Sequence, residues 1–275
     1  MSTPLLPGAM IGIIGGGQLG RMLAMAAARL GYQTIILEPQ VDCPAAQVAT
    51  RQIVAAYDDA QALEALARDC AVVTYEFENV PVGAAISLAR KVAVYPPARA
   101  LEVAQDRLVE KTTLNEMGIE TAAFVAVDSD ADLAAGLRAF GGSGVLKTRR
   151  LGYDGKGQRG FRDASPEDAE GVYAGMGSVP LILEAFVPFE REVSVIAARG
   201  IDGDVAAYDP AENVHVQGIL HTSTVPATAR ICCSNCDTAQ VASVQCPELW
   251  TRGAISFVTT DPSAKTKNST PITPT

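Results

Sequence analysis

The sequence predicts an α/β protein in which a parallel sheet, covered on both faces, is followed by an α+β region with mostly antiparallel strands. Three observations carry that prediction. Between Met10 and Val94, short apolar runs alternate with amphipathic stretches of helical length, the pattern of consecutive βαβ units. Pro96-Pro97 then breaks the alternation, because a proline disfavours helix in the residue before it. Beyond a glycine-rich stretch at 151–160, three strand-like runs follow one another with turns between them. A chain of 275 residues that is 48% hydrophobic has apolar material enough for two such units.

The first strand is expected at 10–14 and the first helix at 19–30, where Leu19, Leu23, Ala26, Ala27 and Leu30 share a stripe. A second strand at 33–37 completes the opening βαβ unit. Strands at 52–54, 71–75 and 91–94 then enclose helices at 60–68 and 82–90, giving a first domain over 1–97. The second domain, 98–228, begins with a helix at 106–117, followed by strands at 122–127 and 144–148 flanking a helix near 130–140. Further strands are expected at 181–184, 192–198 and 205–208, and no internal repeat is present.

Composition narrows the function classes. Lys and Arg number 22 against 31 Asp and Glu, a formal charge of −9, and the basic residues are scattered singly. A nucleic-acid surface or a polybasic membrane patch therefore has no support, and small-molecule chemistry is the better expectation. With His215 and His221 as the two histidines, a histidine-rich metal site is excluded. The apolar start lacks the basic n-region of a signal peptide, and Gln18, Arg21 and several glycines interrupt any membrane span, so a cytoplasmic location is expected. Cysteine usage marks a break: Cys43 and Cys70 stand alone, whereas Cys232, Cys233, Cys236 and Cys246 crowd the end with the single tryptophan, Trp250.

Four segments carry candidate chemistry. Gly15-Gly16-Gly17-Gln18-Leu19-Gly20 lies between a strand and a helix, where free amides and the positive helix end favour an anion. On pattern alone this is a Rossmann-like dinucleotide loop, and Glu38 at the end of the second strand could take ribose hydroxyls; helix-sheet packing by small residues explains it equally. Tyr75-Glu76-Phe77-Glu78-Asn79-Val80-Pro81 sits at a carboxyl strand end, where an open parallel sheet binds ligands, and Glu76 is the favoured residue over a merely solvated loop carboxylate. Lys147 ends a strand ahead of Gly152-Tyr153-Asp154-Gly155-Lys156-Gly157-Gln158, an arrangement that suits a triphosphate but is not a Walker loop; an ordinary hairpin needs fewer glycines and lysines. Last, Glu184-Ala185-Phe186-Val187 with Glu192 behind it could offer backbone to an adenine edge and a carboxylate to a ribose, or could be an edge strand with exposed glutamates.

The third and fourth segments follow the order and spacing of ATP-grasp ligases. Together with Gly16 to Arg21, Tyr75 to Pro81 and His221-Thr222-Ser223-Thr224-Val225-Pro226, they resemble the N5-carboxyaminoimidazole ribonucleotide synthetase family of purine biosynthesis over residues 10 to about 228. The resemblance implies a pre-ATP-grasp domain of Rossmann-like fold followed by an incomplete ATP-grasp region. It implies ATP contacts at Arg107, Lys147, Gly152 to Gln158, Glu184, Ala185, Phe186, Val187, Glu192 and His215, the last otherwise a surface histidine. Gln18, Leu19 and Glu76 would face aminoimidazole ribonucleotide, with Tyr153, Asp154 and Lys147 at the reacting groups. The implied reaction is ATP-dependent carboxylation of that ribonucleotide by bicarbonate, in a homodimer. The rival expectations are an NAD-type Rossmann dehydrogenase and a non-catalytic nucleotide-binding protein.

The resemblance stops near residue 228. The glutamate and asparagine-glutamate pair with which the family holds Mg2+ have no recognisable counterpart, since Asp237, Glu248 and Asp261 are the carboxylates past Arg230. No metal ligand is therefore assigned. Cys233 and Cys236 with Cys246 match no two-pair zinc spacing. Residues 229–275 read as a disordered tail of aberrant origin, as if translated in another frame, and the family activity is expected to be impaired.

Overall fold

The computed structural model describes residues 4–152, 157–189, 191–200, 203–216 and 219–227, together with the backbone of two strands, Ala254–Thr260 and Ile272–Thr273. The chain divides into two compact units, the second beginning at Val103.

The first unit is a five-stranded parallel sheet in the order β3-β2-β1-β4-β5. Its strands are β1 (Met10–Ile14), β2 (Gln33–Leu37), β3 (Arg51–Ile53), β4 (Val72–Tyr75) and β5 (Ala93–Val94). Helices α1 (Gln18–Arg29), α2 (Ala60–Asp69) and α3 (Val82–Ala89) join them. Alternation along each strand feeds two cores. Ile14, Ile35, Leu37 and Val73 pack with Leu63, Leu66 and Leu88, while Ile13 and Ile36 face Ala24, Cys43 and Ala45 on the other side. Asp59 starts α2 by accepting from the Ala62 amide at 2.7 Å. The helix α4 (Ala98–Ala104) was not anticipated. It places Leu101, 2% exposed, in the first core, which is why this unit runs past residue 97 to Glu102.

In the second unit a four-stranded antiparallel sheet runs β6-β9-β7-β8, formed by Phe124–Val127 (β6), Gly144–Thr148 (β7), Gln158–Phe161 (β8) and Leu181–Ala185 (β9). Helices α5 (Arg107–Glu116), α6 (Asp130–Ala139) and α7 (Val172–Gly175) belong to the same unit. Leu133 and Leu137 of α6 bury against Leu146, Phe161, Leu181 and Leu183. A second antiparallel sheet contains β10 (Arg191–Arg199), β11 (Val205–Ala207), β12 (Ala211–Val216) and β13 (Ile219–Thr224). Strands β12 and β13 were not expected from the sequence.

The tail also departs from expectation. Ala254–Thr260 (β14) pairs antiparallel with β10 from Arg191↔Thr260 to Ala197↔Ala254, and Ile272–Thr273 (β15) pairs with β14. The physical reason is visible in the segment Ala-Ile-Ser-Phe-Val-Thr-Thr: it is rich in β-formers and supplies partners to the otherwise open backbone groups of β10. The cysteines Cys232, Cys233, Cys236 and Cys246 lie outside the described residues. Among the described residues no helix is long and apolar enough to cross a membrane.

Asp106 joins helix to sheet in the second unit. It caps α5, accepting from the amides of Leu108 at 2.9 Å and Val109 at 3.3 Å, and receives Nη2 of Arg149 at 2.7 Å. Burial pushes its carboxyl up, but the Arg149 guanidinium and the two amides outweigh burial and hold it below the usual carboxylate range. Asp106→Ala is expected to cost about 1–3 kcal/mol in denaturant unfolding, and Asp106→Asn, which keeps a capping oxygen, less. Because the folded pKa is lowered, the ionised contribution is complete above the ordinary carboxylate pKa and is lost as pH falls through the folded value. Wild type and Asp106→Asn should therefore converge in stability on acidification below about pH 4.

Candidate functional site

Each unit carries its own cluster. In the first, β1 lies between β2 and β4, with Ile14 opposite both Leu37 and Tyr75. One residue beyond those three strand ends stand Gly15, Glu38 and Glu76, so the parallel register sets a carboxylate on either side of the glycine loop. Glu38 accepts from the Gly16 amide at 2.9 Å, the Tyr57 hydroxyl at 2.6 Å and the Gln40 amide at 3.1 Å. Burial, and then the Glu38 carboxylate, push the Tyr57 phenol up, keeping it a donor. Glu76 accepts from the Gly17 amide at 2.6 Å and from the Gly20 amide.

Helix α1 has no side-chain cap at Gly17, so the Glu76 carboxylate acts as the anion at its positive end. The glycines are needed for this. Gly15 has φ +103°, and a Cβ on Gly20 would stand 2.8 Å from the Gly15 carbonyl oxygen. The dehydrogenase expectation loses its basis here, because the amides it assigned to a pyrophosphate are held by Glu38 and Glu76, and Glu38 is engaged with the loop and Tyr57. Of the expected acceptor-facing residues, Gln18 and Leu19 are exposed on the first turn of α1, and Glu76, in the connection after β4, is half-buried against the Gly17 and Gly20 amides.

In the second unit, β7 and β8 form the stem of the glycine-rich hairpin, with Lys147 opposite Gln158 and the Thr148 amide donating to the Gly157 carbonyl at 2.9 Å. Tyr153, Asp154, Gly155 and Lys156 lie outside the described residues. Arg107, in the first turn of α5, donates to the carbonyls of Thr148 and Gly152, each at 2.9 Å. Its guanidinium thus braces the base of the hairpin.

Lys147 also faces Ile182 of β9, while Glu184 faces Val145. This register makes Lys147 and Glu184 diagonal neighbours on one face of the sheet, within reach of long side chains. Their separation is 3.1 Å from Nζ to Oε2. The same oxygen is 3.5 Å from Nζ of Lys111 on α5. Burial pushes the Lys111 ammonium down, against the upward pull of Glu184, and the nearby Lys147 adds to the depression. Beyond the strand end, Phe186 is exposed and carries the Arg162 guanidinium over its ring at 4.3 Å, while Ala185 and Val187 are half-buried.

Glu192, on β10, is buried. Asn213 Nδ2 donates to its Oε1 at 3.2 Å, and His215 Nδ1 is 3.4 Å from its Oε2. The Ser223 hydroxyl donates to Asn213 Oδ1 at 2.8 Å, which turns the amide's donor side toward the carboxylate. His215 is therefore exposed yet paired with Glu192.

The structure thus brings together Lys147 with Glu184, Arg107 with Gly152, and Glu192 with His215. Sequence reasoning missed Lys111, Asn213 and Arg162. A signal existed for Lys111, which stands midway between Leu108 and Leu114 at three-residue spacing, a lysine interrupting an apolar helical stripe. No signal marked Asn213, because its strand was not recognised. Among the described residues no group of three or more His, Cys, Asp or Glu could hold a metal ion.

Comparison with known proteins finds the ribonucleotide synthetase preATP-grasp domain at residues 9–105 and the ATP-grasp domain at 112–249. The N5-carboxyaminoimidazole ribonucleotide synthase of Brucella melitensis is 62% identical over 229 residues, covering 83% of this chain and 63% of that protein. The chain therefore spans less than two thirds of that relative's length. A crystal structure of an N5-carboxyaminoimidazole ribonucleotide synthetase in complex with ADP is similar with a TM-score of 0.86 and 35% identity, over 100% of this chain and 71% of the other. The Aspergillus clavatus synthase in complex with ADP and 5-aminoimidazole ribonucleotide gives a TM-score of 0.80 at 25% identity, over 98% and 69%.

Removing the internal anion from the first unit should loosen its loop. Glu76→Ala leaves the Gly17 and Gly20 amides without their carboxylate acceptor and is expected to lower unfolding free energy by about 1.5–3 kcal/mol. Thermal unfolding followed by circular dichroism measures it. A variant as stable as wild type would mean that water serves those amides equally well.

Proposed function

The chain belongs to the N5-carboxyaminoimidazole ribonucleotide synthetase family of ATP-grasp ligases, and on that premise we propose that it binds ATP in its second unit and aminoimidazole ribonucleotide at the glycine loop of its first. The reaction is the carboxylation of the ribonucleotide. A bicarbonate oxygen attacks the γ-phosphorus of ATP and the bond to ADP breaks, giving carboxyphosphate. The ribonucleotide amine then attacks its carboxyl carbon, phosphate leaves and the nitrogen gives up a proton. Cytoplasmic location and homodimeric assembly belong to the same proposal.

The observation that carries the nucleotide assignment is Lys147 at the end of β7, ahead of the glycine-rich hairpin and held 3.1 Å from Glu184. An ammonium placed there offsets phosphate charge, and hairpin amides closing over the nucleotide limit hydrolysis of the labile carboxyphosphate. Arg107 supports the hairpin base and, with donors to spare, adds positive charge beside it. The strand end at Glu184 to Val187 offers backbone to the adenine edge. Glu192, oriented by Asn213 and His215, accepts ribose hydroxyls. Tyr153 and Asp154 are assigned to the reacting groups on the family pattern. On the acceptor side, the carboxylate of Glu76 has lone pairs beyond those given to Gly17 and Gly20 for a ribose hydroxyl or amine, beside Gln18 and Leu19.

Mg2+ belongs to the chemistry of the family, where it would offset charge on the phosphates. The described residues do not fit it, since no cluster of three candidate ligands is present among them. Past Arg230 the carboxylates are Asp237, Glu248 and Asp261, which lie outside the described structure except as sequence.

Lys147→Ala is expected to weaken binding of an unhydrolysed ATP analogue by about 1.5–3 kcal/mol, the range of a charge-assisted hydrogen bond. Titration calorimetry decides it, and equal affinities in the two proteins would sink the nucleotide assignment. Turnover is a separate matter. ADP release with aminoimidazole ribonucleotide, bicarbonate and Mg2+ is expected to be slow in this chain and faster in a variant whose residues from 228 onward are replaced by those of the Brucella melitensis relative. Comparable rates would show that the present tail supports the chemistry.

A further inference from the structure

Two lysines converge on one carboxylate in the second unit, and they differ in access. Lys147 and Lys111 approach the same oxygen, Oε2 of Glu184, at 3.1 and 3.5 Å. The Lys147 side chain is 24% exposed, that of Lys111 is 6% and that of Glu184 is 10%. Lys147 can therefore turn outward, whereas Lys111 and Glu184 are sealed in. The Lys111 ammonium has no hydrogen-bond partner among the described residues, so its hold on Glu184 is the ionic approach alone.

This matters for the nucleotide reading, on which the inference rests. Lys147 is committed to Glu184 by their ion pair. To meet a phosphate it has to leave, and a carboxylate as buried as Glu184 cannot be left without a counter-charge except at a large desolvation cost. We propose that Lys111 is the resident counter-ion of Glu184, a positioning residue whose ammonium closes onto Oε2 as Lys147 moves from the carboxylate to the phosphates. The two lysines and one carboxylate carry a net single positive charge, which an incoming polyphosphate meets as attraction. Without Lys111 the cluster is neutral, and binding has to break its one buried ion pair.

A merely structural Lys111 makes a different forecast, since a buried pair replaced by an apolar side chain is often neutral or stabilising. Four proteins separate the two: wild type, Lys111→Met, Glu184→Gln and the double variant, each titrated calorimetrically with an unhydrolysed ATP analogue. Lys111→Met is expected to weaken binding about tenfold or more, the scale of one charge-assisted interaction. Glu184→Gln removes the charge that needs a partner, so the double variant should bind within about threefold of Glu184→Gln alone, a suppression that lost packing would not produce. Wild-type affinity in Lys111→Met overturns the proposal, as does the same loss from Lys111→Met in both backgrounds. Should Lys111→Met fail to fold, the double variant, which strands no carboxylate, carries the comparison. Its failure to fold, or a tenfold deficit against Glu184→Gln, overturns the counter-ion role. Unchanged affinity in Lys147→Ala would instead refute the nucleotide reading and this role with it, whereas loss in Lys147→Ala with none in Lys111→Met refutes the counter-ion role alone.

Discussion

The amides of Gly17 and Gly20 share one acceptor, the carboxylate of Glu76, and the Gly16 amide is taken by Glu38. Much of the first unit follows from this. A helix that opens without a side-chain cap needs an acceptor for its first amides, and here the acceptors come from the neighbouring strands rather than from the helix itself. That demands a parallel register with β1 between β2 and β4, small residues wherever the carboxylates approach, and cores on both faces to hold three strand ends level. A loop whose free amides would suit an anion is in this way satisfied from within.

The second unit obeys the same constraint with the signs exchanged. Glu184 is a buried carboxylate and needs cations, which arrive from a strand by Lys147 and from a helix by Lys111. The antiparallel register of β7 and β9 makes the first pairing possible, and the capping of α5 by Asp106, itself tied to Arg149, sets the helix that delivers the second. Glu192 repeats the theme with the Asn213 amide, which the Ser223 hydroxyl turns donor side toward it. Each carboxylate is held in a fixed direction by the groups that donate to it or pair with it.

Legibility in the sequence followed the range of the interaction. The strand at 144–148 and the helices near 60–68 and 130–140 were plain, because apolar spacing acts within a turn or two. The short helix at Ala98–Ala104 was hidden behind two prolines, which read as a break although a helix starts directly after them. Strands β12 and β13 escaped because Ala211–Val216 and Ile219–Thr224 mix polar and apolar residues on a half-solvated sheet. Ala254–Thr260 escaped because the composition around it argued for disorder, whereas backbone pairing with β10 depends little on the company a segment keeps.

By itself the sequence determined the βαβ alternation of the first unit, the change to antiparallel strands after it, and the glycine loop between the first strand and the first helix. These depend on local periodicity and on motif spacing, which the chain displays in linear order. Tertiary structure alone decided who partners whom. Glu76 and Gly17 are 59 residues apart, and Lys147 and Glu184 are 37 apart, so neither pair could be read along the chain. Strand register brought the first pair to adjacent strand ends and the second to diagonal positions on one face. Helix packing then set Lys111 behind Glu184, because burial of an ion is a property of everything folded around it.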